Sequence, residues 1–318
     1  MGHFATIDIG SNAIRFGVAH VSKGNYEWLN RYRIPLRLGA EVFSDKNKIS
    51  DNTISYAVDA FNEFYRLMEE YDVEKYFCGA TSAFREAKNG KSFKKIIKEE
   101  TNIEITGISG DEEAQIAMMG ISKFLDQFEE KKIHHFLLAD LGGGSLEIDL
   151  IEGRECLKRK SFKIGTVRML NLYKKYGRES KEVEKYFNEQ FEKIQKFIDL
   201  SEESSIWSEG KCTIVGIGGN FRRLAKLKNK IYEDGNEYVS YEQVKPIREQ
   251  ILKHDYLHRI KQFGLKPDRA DVIVPALDII TRLTDSLPVE KIYAPEQGLI
   301  DGLMHFLINN KDQGITFS

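Results

Sequence analysis

From Phe4 to Ile9 the chain is a mostly apolar run that ends in Asp8-Ile9-Gly10-Ser11-Asn12, and a second strand-like run follows over Ala13–Val21. The same pattern returns more strongly at Leu137–Ile151. Apolar residues lead up to Asp140, three glycines and a serine follow, and alternation resumes at Leu146, Ile148 and Leu150. Two strands joined by a tight glycine turn are the predicted element at both places. Tyr26–Arg33 extends the first sheet, and Arg33–Leu38 reads as further strand and loop. Asp51 or Asn52 is placed to cap a helix whose buried face is Tyr56, Ala60, Phe64 and Leu67. Short strands are predicted over Tyr76–Ala80, Ile103–Ile108, Ser161–Thr166, Cys212–Ile217 and Ile292–Ala294. Helices are predicted over Phe93–Glu99, from Asp111 through Phe124, across Val183–Ile198, from near Phe221, over Pro246–Lys261 and Asp268–Leu287, and over Gly298–Leu307. This alternation of strands and helices is an α/β pattern.

The chemistry concentrates where strands end. Asp8 and Asp140 stand 132 positions apart (140 − 8), each with a glycine two residues on. A repeated strand–Asp-x-Gly–strand unit predicts two related halves, although two unrelated glycine hairpins would read the same way. Gly142, Gly143 and Gly144 lack the Cβ atoms that keep an anion from backbone N–H groups. Asp140 and Glu147 flank them, an arrangement that suits a divalent metal beside a phosphate. A hairpin turn with solvated acids would give the same residues. Thr81, Ser82 and Arg85 follow a buried strand, where an anion or a plain helix cap would fit. Asp111, Glu112 and Glu113 open a helix after Ser109. Capping accounts for Asp111 and Glu112, whereas Glu113 is a candidate general base. Gly218-Gly219-Asn220 opens another helix, a weaker phosphate signal. Arg222, Arg223, Lys226, Lys228 and Lys230 read mainly as a solvated face.

Composition narrows the classes. The 318 residues are 30% charged and 41% apolar, with a formal net charge of −2. That fits two folded domains and gives no nucleic-acid signature, so an anionic substrate must meet a local basic site. No apolar run reaches the length of a membrane span, and the N-terminus has no signal-peptide pattern. Cys78, Cys156 and Cys212 are odd in number and scattered, which predicts neither a disulfide framework nor a zinc knuckle. A reduced, cytoplasmic setting is the expectation.

With these residues in place, the chain resembles the exopolyphosphatase/guanosine pentaphosphate phosphohydrolase (Ppx/GppA) family, within the superfamily of actin, sugar kinases and heat-shock ATPases. The matching pieces are Ile7–Asn12 with Arg15, Ala80–Arg85, Ser109–Ala114, Asp140–Ser145 with Glu147, Gly165–Arg168 and Gly216–Gly219. The resemblance implies two ribonuclease-H-like domains, about 1–120 and 121–299, with an interdomain active-site cleft. It also implies a C-terminal helix, about 300–318, packing back onto the first domain. Carried over residue by residue, Glu113 matches the catalytic base, and Asp140 and Glu147 the metal-associated carboxylates, with Asp8 as a third metal candidate. Gly10, Ser11, Asn12, Arg15, Arg85, Gly142, Gly143, Gly144, Ser145, Gly218 and Gly219 match phosphate-holding positions. Two departures stand out: Asn220 where a hydroxyl residue is more usual, and Ile300 where arginine is frequent. Longer members carry further C-terminal domains, so the short two-domain form is expected here.

The implied chemistry is Mg²⁺-assisted (or Mn²⁺-assisted) hydrolysis of a terminal phosphoanhydride in polyphosphate or guanosine pentaphosphate, a stringent-response nucleotide. Arg15 and Arg85 would neutralise charge, and Glu113 would need a basic partner to stay ionised beside phosphate. Neither nucleic acid nor membrane is an expected partner, and a homodimer is left open. Short substrates and distributive release are expected. The rival readings are an ATP-dependent kinase or ATPase of the same superfamily, and a polyphosphate or nucleotide sensor without turnover.

Overall fold

The computed structural model describes residues 1–131, 133–199, 212–233, 235–310 and 315–316. The chain divides into two compact units, Met1–Ser122 with Gln297–Ser318, and Lys123–Glu296.

In the first unit, β1 (Gly2–Ile9) and β2 (Ile14–Ser22) pair antiparallel along their whole lengths, with Asp8 opposite Arg15. Lys23 and Gly24, both at positive φ, form the two-residue turn into β3 (Asn25–Ile34). The chain then crosses over by the helix Asp51–Glu70 to β4 (Val73–Ala80), which lies parallel to β1. That helix is capped by Ser50, whose hydroxyl accepts from the Thr53 N–H, and not by Asp51 or Asn52. Its buried face is Ile54, Ala57, Ala60, Phe61, Phe64, Leu67 and Met68; Tyr56 falls on the opposite side and is exposed. Arg33–Leu38 is the end of β3 and a loop, as expected, leading into a short helix, Leu38–Val42. Of Ile103–Ile108 only β5 (Thr106–Gly107) is paired, beside β4, although Ile103 and Ile105 are buried.

The second unit repeats the plan. β6 (His135–Leu141) and β7 (Leu146–Glu152) pair antiparallel, with Asp140 opposite Glu147, and β8 (Glu155–Phe162) continues the meander. The predicted strand at Ser161–Thr166 therefore lies too late in the chain: pairing stops at Phe162, and Gly165 instead caps a helix, Thr166–Tyr176. After the helix Lys181–Asp199, β9 (Cys212–Ile217) lies parallel to β6. β10 (Tyr238–Ser240) and β11 (Val289–Tyr293) complete the sheet, β11 parallel to β9. Antiparallel meander, helical crossover, parallel strand is thus common to both units. The region expected as one helix over Pro246–Lys261 is two, Tyr241–Leu252 and Tyr256–Phe263, the second capped by Asp255.

Two elements near the C-terminus return to the first unit. β12 (Ile315–Thr316) pairs antiparallel with β4, and the helix Leu299–Asn309 packs on the helix Gly110–Gly120. The latter ends at Ile121, short of the predicted Phe124, and a new helix, Ser122–Glu130, follows. The fit between the two packed helices is backbone on backbone: a Cβ on Gly302 would lie 1.8 Å from the Ile116 carbonyl oxygen. Asp301 anchors the C-terminal helix by accepting from Trp28 Nε1 and the Tyr26 hydroxyl. Ile300, noted as a departure from the arginine frequent in the family, is buried. Of the expected helix beyond Asn309, residues 311–314 and 317–318 lie outside the described residues. No described helix is long and apolar enough to cross a membrane.

Candidate active site

Each unit presents one hairpin turn of the same construction. Gly10 N–H donates to the Ala13 carbonyl at 3.1 Å, and Gly142 N–H to the Ser145 carbonyl at 3.0 Å. In both units a helix start then holds the carbonyl side of the turn. Gly39 N–H donates to Ser11 O (2.8 Å) and Arg37 N–H to Asn12 O (3.2 Å). In the second unit Thr166 N–H reaches Gly142 O (3.1 Å), while Val167 and Arg168 N–H reach Gly143 O (2.9 and 3.0 Å). Arg168 Nε adds a bond to Gly144 O at 2.8 Å. In a trans peptide the N–H points opposite to the preceding C=O. The N–H groups of Asn12 and Ala13, and of Gly143, Gly144 and Ser145, therefore face away from those helices, as donors to an anion must. Gly165 is glycine because a Cβ there would lie 2.4 Å from Gly143 and Gly144 backbone atoms.

Below each turn the two ladders differ in one informative place. In the first unit Asp8, almost wholly buried, forms an ion pair with Arg15, and its Oδ1 has no hydrogen-bond partner. Across the equivalent rung of the second unit two carboxylates face each other, Asp140 and Glu147, and Ser161 Oγ donates to Glu147 Oε1 at 2.8 Å. Two like charges on one rung are unfavourable unless a cation joins them. Gly218, at φ +88°, completes the surroundings: a Cβ there would sit 2.9 Å from Asp140 Oδ1. Among the described residues no cluster of three or more His, Cys, Asp or Glu could hold a metal ion. Two carboxylates with phosphate oxygens and water are nevertheless the usual surroundings of magnesium, so Asp140 and Glu147 fit that ion.

Asn220 is accounted for by the turn itself. Its side-chain N–H donates to Leu141 O at 2.6 Å, as the Thr81 N–H and hydroxyl do to Ile9 O in the first unit. Ser11 and Ser82 hydroxyls are bonded at 2.9 Å. The polar residues after β4 and β9 thus brace the turns.

The three acids of the helix Gly110–Gly120 separate cleanly. Ser109 and Glu112 form a capping box, the Ser109 hydroxyl accepting from Glu112 N–H and the Glu112 carboxylate from Ser109 N–H. The Ser109 backbone bond, then its hydroxyl, holds the Glu112 carboxyl below its ordinary value. Glu113 is the one met by a base: Arg85 Nη1 donates to its Oε2 at 3.0 Å and to Ile108 O at 2.6 Å. Arg85 therefore serves Glu113 as well as any phosphate.

Sequence reasoning missed Arg269. A Cβ on Gly219 would lie 2.8 Å from its Nη2, which places a guanidinium directly over the Gly218–Gly219 turn. The glycine pair was the available signal, because it admits a large neighbour. Of the basic run after Phe221, Lys228 is fully buried and donates to Asn236 O and Asn229 Oδ1, so it is a structural residue and no part of a solvated face.

Comparison with known proteins agrees with this construction. The model of the Ppx/GppA phosphatase family matches residues 17–310. A bifunctional 3-dehydroquinate synthase/phosphatase of Fusobacterium nucleatum is 27% identical over 96% of this chain and 47% of its own length. A guanosine-5'-triphosphate,3'-diphosphate pyrophosphatase of Photobacterium profundum is 23% identical over 96% and 59%, respectively. The chain thus spans about half of these curated relatives. The crystal structure of an exopolyphosphatase from Cytophaga hutchinsonii superimposes with a TM-score of 0.82 at 22% identity, covering 97% of this chain and 98% of that one. It shares the fold.

Proposed function

The chain belongs to the Ppx/GppA phosphatase family, and from that premise we propose that it hydrolyses the terminal phosphoanhydride bond of inorganic polyphosphate or guanosine pentaphosphate, releasing orthophosphate. The observation that supports this most is the separation of Glu113 from its neighbours. Glu112 is committed to the helix terminus, whereas Glu113 is held by Arg85, the basic partner a carboxylate needs to stay ionised beside phosphate.

In this reading the outward N–H groups of Asn12 and Ala13, and of Gly143, Gly144 and Ser145, hold phosphoryl oxygens, while Gly10 and Gly142 close the turns that aim them and Gly218 and Gly219 contribute through their turn. Arg15, Arg85 and Arg269 offset phosphate charge. Glu113 orients a water molecule and accepts its proton as the water oxygen bonds to the terminal phosphorus. The bridging P–O bond breaks and its electron pair leaves with the shortened phosphate chain. Asp140 and Glu147 would hold Mg²⁺ or Mn²⁺, which when bound offsets charge on the leaving phosphate. Asp8 is a third metal candidate: its Oδ2 holds Arg15, and its buried Oδ1 has no hydrogen-bond partner.

Asn220 no longer favours a sensor without turnover, since its amide supports the glycine turn. The test is phosphate release from polyphosphate, guanosine pentaphosphate and ATP, side by side, with Mg²⁺ and with chelator. Release from the first or second, abolished by chelator, is expected. Release from ATP alone would favour the ATPase reading, and release that survives chelator would remove the metal.

A further inference from the structure

At the other end of the helix Thr166–Tyr176, about 16 Å along its axis from the Gly142–Gly144 turn, two arginines share one carboxylate and a third lies beside them. Asp278, buried on the helix Ile273–Asp285, has all its acceptor positions filled. Tyr173 donates its hydroxyl at 2.8 Å, Arg178 donates Nε and Nη2 at 2.9 Å each, and Arg248 donates Nε at 2.6 Å. One carboxylate saturates with about four donors. A third guanidinium, Arg259, is half-buried nearby, with one described bond, Nε to Ile251 O at 3.2 Å. Burial holds it below its ordinary value, against the opposing charge of Asp255 and with a smaller contribution from the repulsion of Arg178.

An ion-pair staple between helices needs one arginine per carboxylate. Here two share Asp278, with Arg259 bonded to Ile251, one helical turn from Arg248, and guanidinium charge cannot be relieved by losing a proton. Both terminal nitrogens of Arg248 and of Arg259 lack a partner among the described residues, and Nη1 of Arg178 reaches Glu179 at 3.7 Å. Glu179 is 91% exposed, and the exposed Asp255 accepts from His258 N–H, so both acids lie in solvent at the rim. The remaining donors form planar forks on half-buried side chains, the geometry that takes phosphate oxygens in pairs.

We propose that Arg178 and Arg248, joined through Asp278, form with the neighbouring Arg259 a second phosphate-binding site within the unit Lys123–Glu296, apart from the glycine turns. Its ligand is a phosphoryl group, either free orthophosphate or the end of an oligophosphate chain. The site binds and does not react, and it exists whether or not the chain hydrolyses anhydrides.

Arginine Nε–H resonances read the site directly. Orthophosphate and then tripolyphosphate are titrated into the full chain with chelator present, so that no metal-dependent turnover intervenes. The Nε–H signals of Arg178, Arg248 and Arg259 should shift together on one binding curve, and the curve should weaken as salt rises. Tighter binding of tripolyphosphate would identify a chain as ligand, and equal binding orthophosphate. Arg259→Gln should weaken the curve by roughly 10-fold or more while leaving phosphate release from the glycine-turn site unchanged. Should Arg248→Gln fail to fold, Arg248→Lys keeps a bond to Asp278 but removes the fork, and should weaken binding as well. The proposal is overturned if the three signals stay unmoved at phosphate concentrations that shift the glycine-turn amides. Unchanged affinity in both Arg259→Gln and Arg248→Lys would also overturn it.

Discussion

At the scale of single residues, neighbours in sequence do different work because a helix turns by a third of a circle between them. Glu112 and Glu113 are adjacent, yet one closes a capping box and the other meets Arg85. Glu113→Gln should therefore leave the fold intact and lower turnover by ~10²–10⁴-fold. Glu112→Gln should act chiefly on stability, by about 1 kcal/mol or less at neutral pH. Paired measurements of kcat and of urea midpoints for the two variants check this. Equal loss of kcat in both would remove Glu113 as the base.

At the scale of elements, the turn and the helix start that clasps it form a unit. The helix Thr166–Tyr176 can donate three backbone bonds to Gly142 and Gly143 only because Gly165 lets the backbones touch. Gly165→Ala should push the two apart and turn the loop amides from their common direction. The expected result is a raised KM for phosphate substrate with far-UV circular dichroism unchanged, since the strands on either side keep their ladders. An unaltered KM would mean that the amides do not bind substrate. Leu38–Val42 plays the same part in the first unit, its start holding Ser11 and Asn12 carbonyls through Gly39 and Arg37 N–H.

At the scale of the whole molecule, the same topology is used twice with different residues on matching rungs: Asp8 opposite Arg15, and Asp140 opposite Glu147. A rung with balanced charge is stable alone, whereas a rung with two acids favours a cation. One source of stability that acid removes is the network of Asp278. Burial raises that carboxyl, but the hydrogen bonds and charges of Arg178 and then Arg248 outweigh it, so it lies below its ordinary value. A carboxyl depressed in the folded state stabilises fully above its unfolded value, about 4, and loses that contribution as pH falls through the folded value. Asp278→Asn should cost roughly 2–4 kcal/mol at neutral pH. Denaturant unfolding at pH 7 and near pH 3 should show this cost shrinking in acid. A cost that is the same at both pH values would show that charge is not its source.

Several features were determined by the sequence alone. The glycine hairpin at Leu137–Ile151, its copy 132 positions earlier, the strand Cys212–Ile217 and the amphipathic face of Lys181–Asp199 all follow from local periodicity and glycine placement. Such patterns report which side of an element is buried, and that side is encoded within a few turns of chain. The tertiary structure decided what each element is buried against. Ser50 capped in place of Asp51 because Glu41, nine residues earlier, also binds its hydroxyl and N–H. Ile103–Ile108 supplied buried side chains but only two paired residues, because it meets β4 only at the strand's last two residues, Gly79 and Ala80, while β12 pairs Lys75 and Tyr76. Lys228 went inside because Asn236 offers it a carbonyl. Arg269 came to Gly219, and Arg178 and Arg248 came to Asp278, across separations of 30 to 100 residues. A charged side chain carries no local mark of the partner that will meet it; chain closure over long loops selects that partner, and only the folded chain contains the pairing.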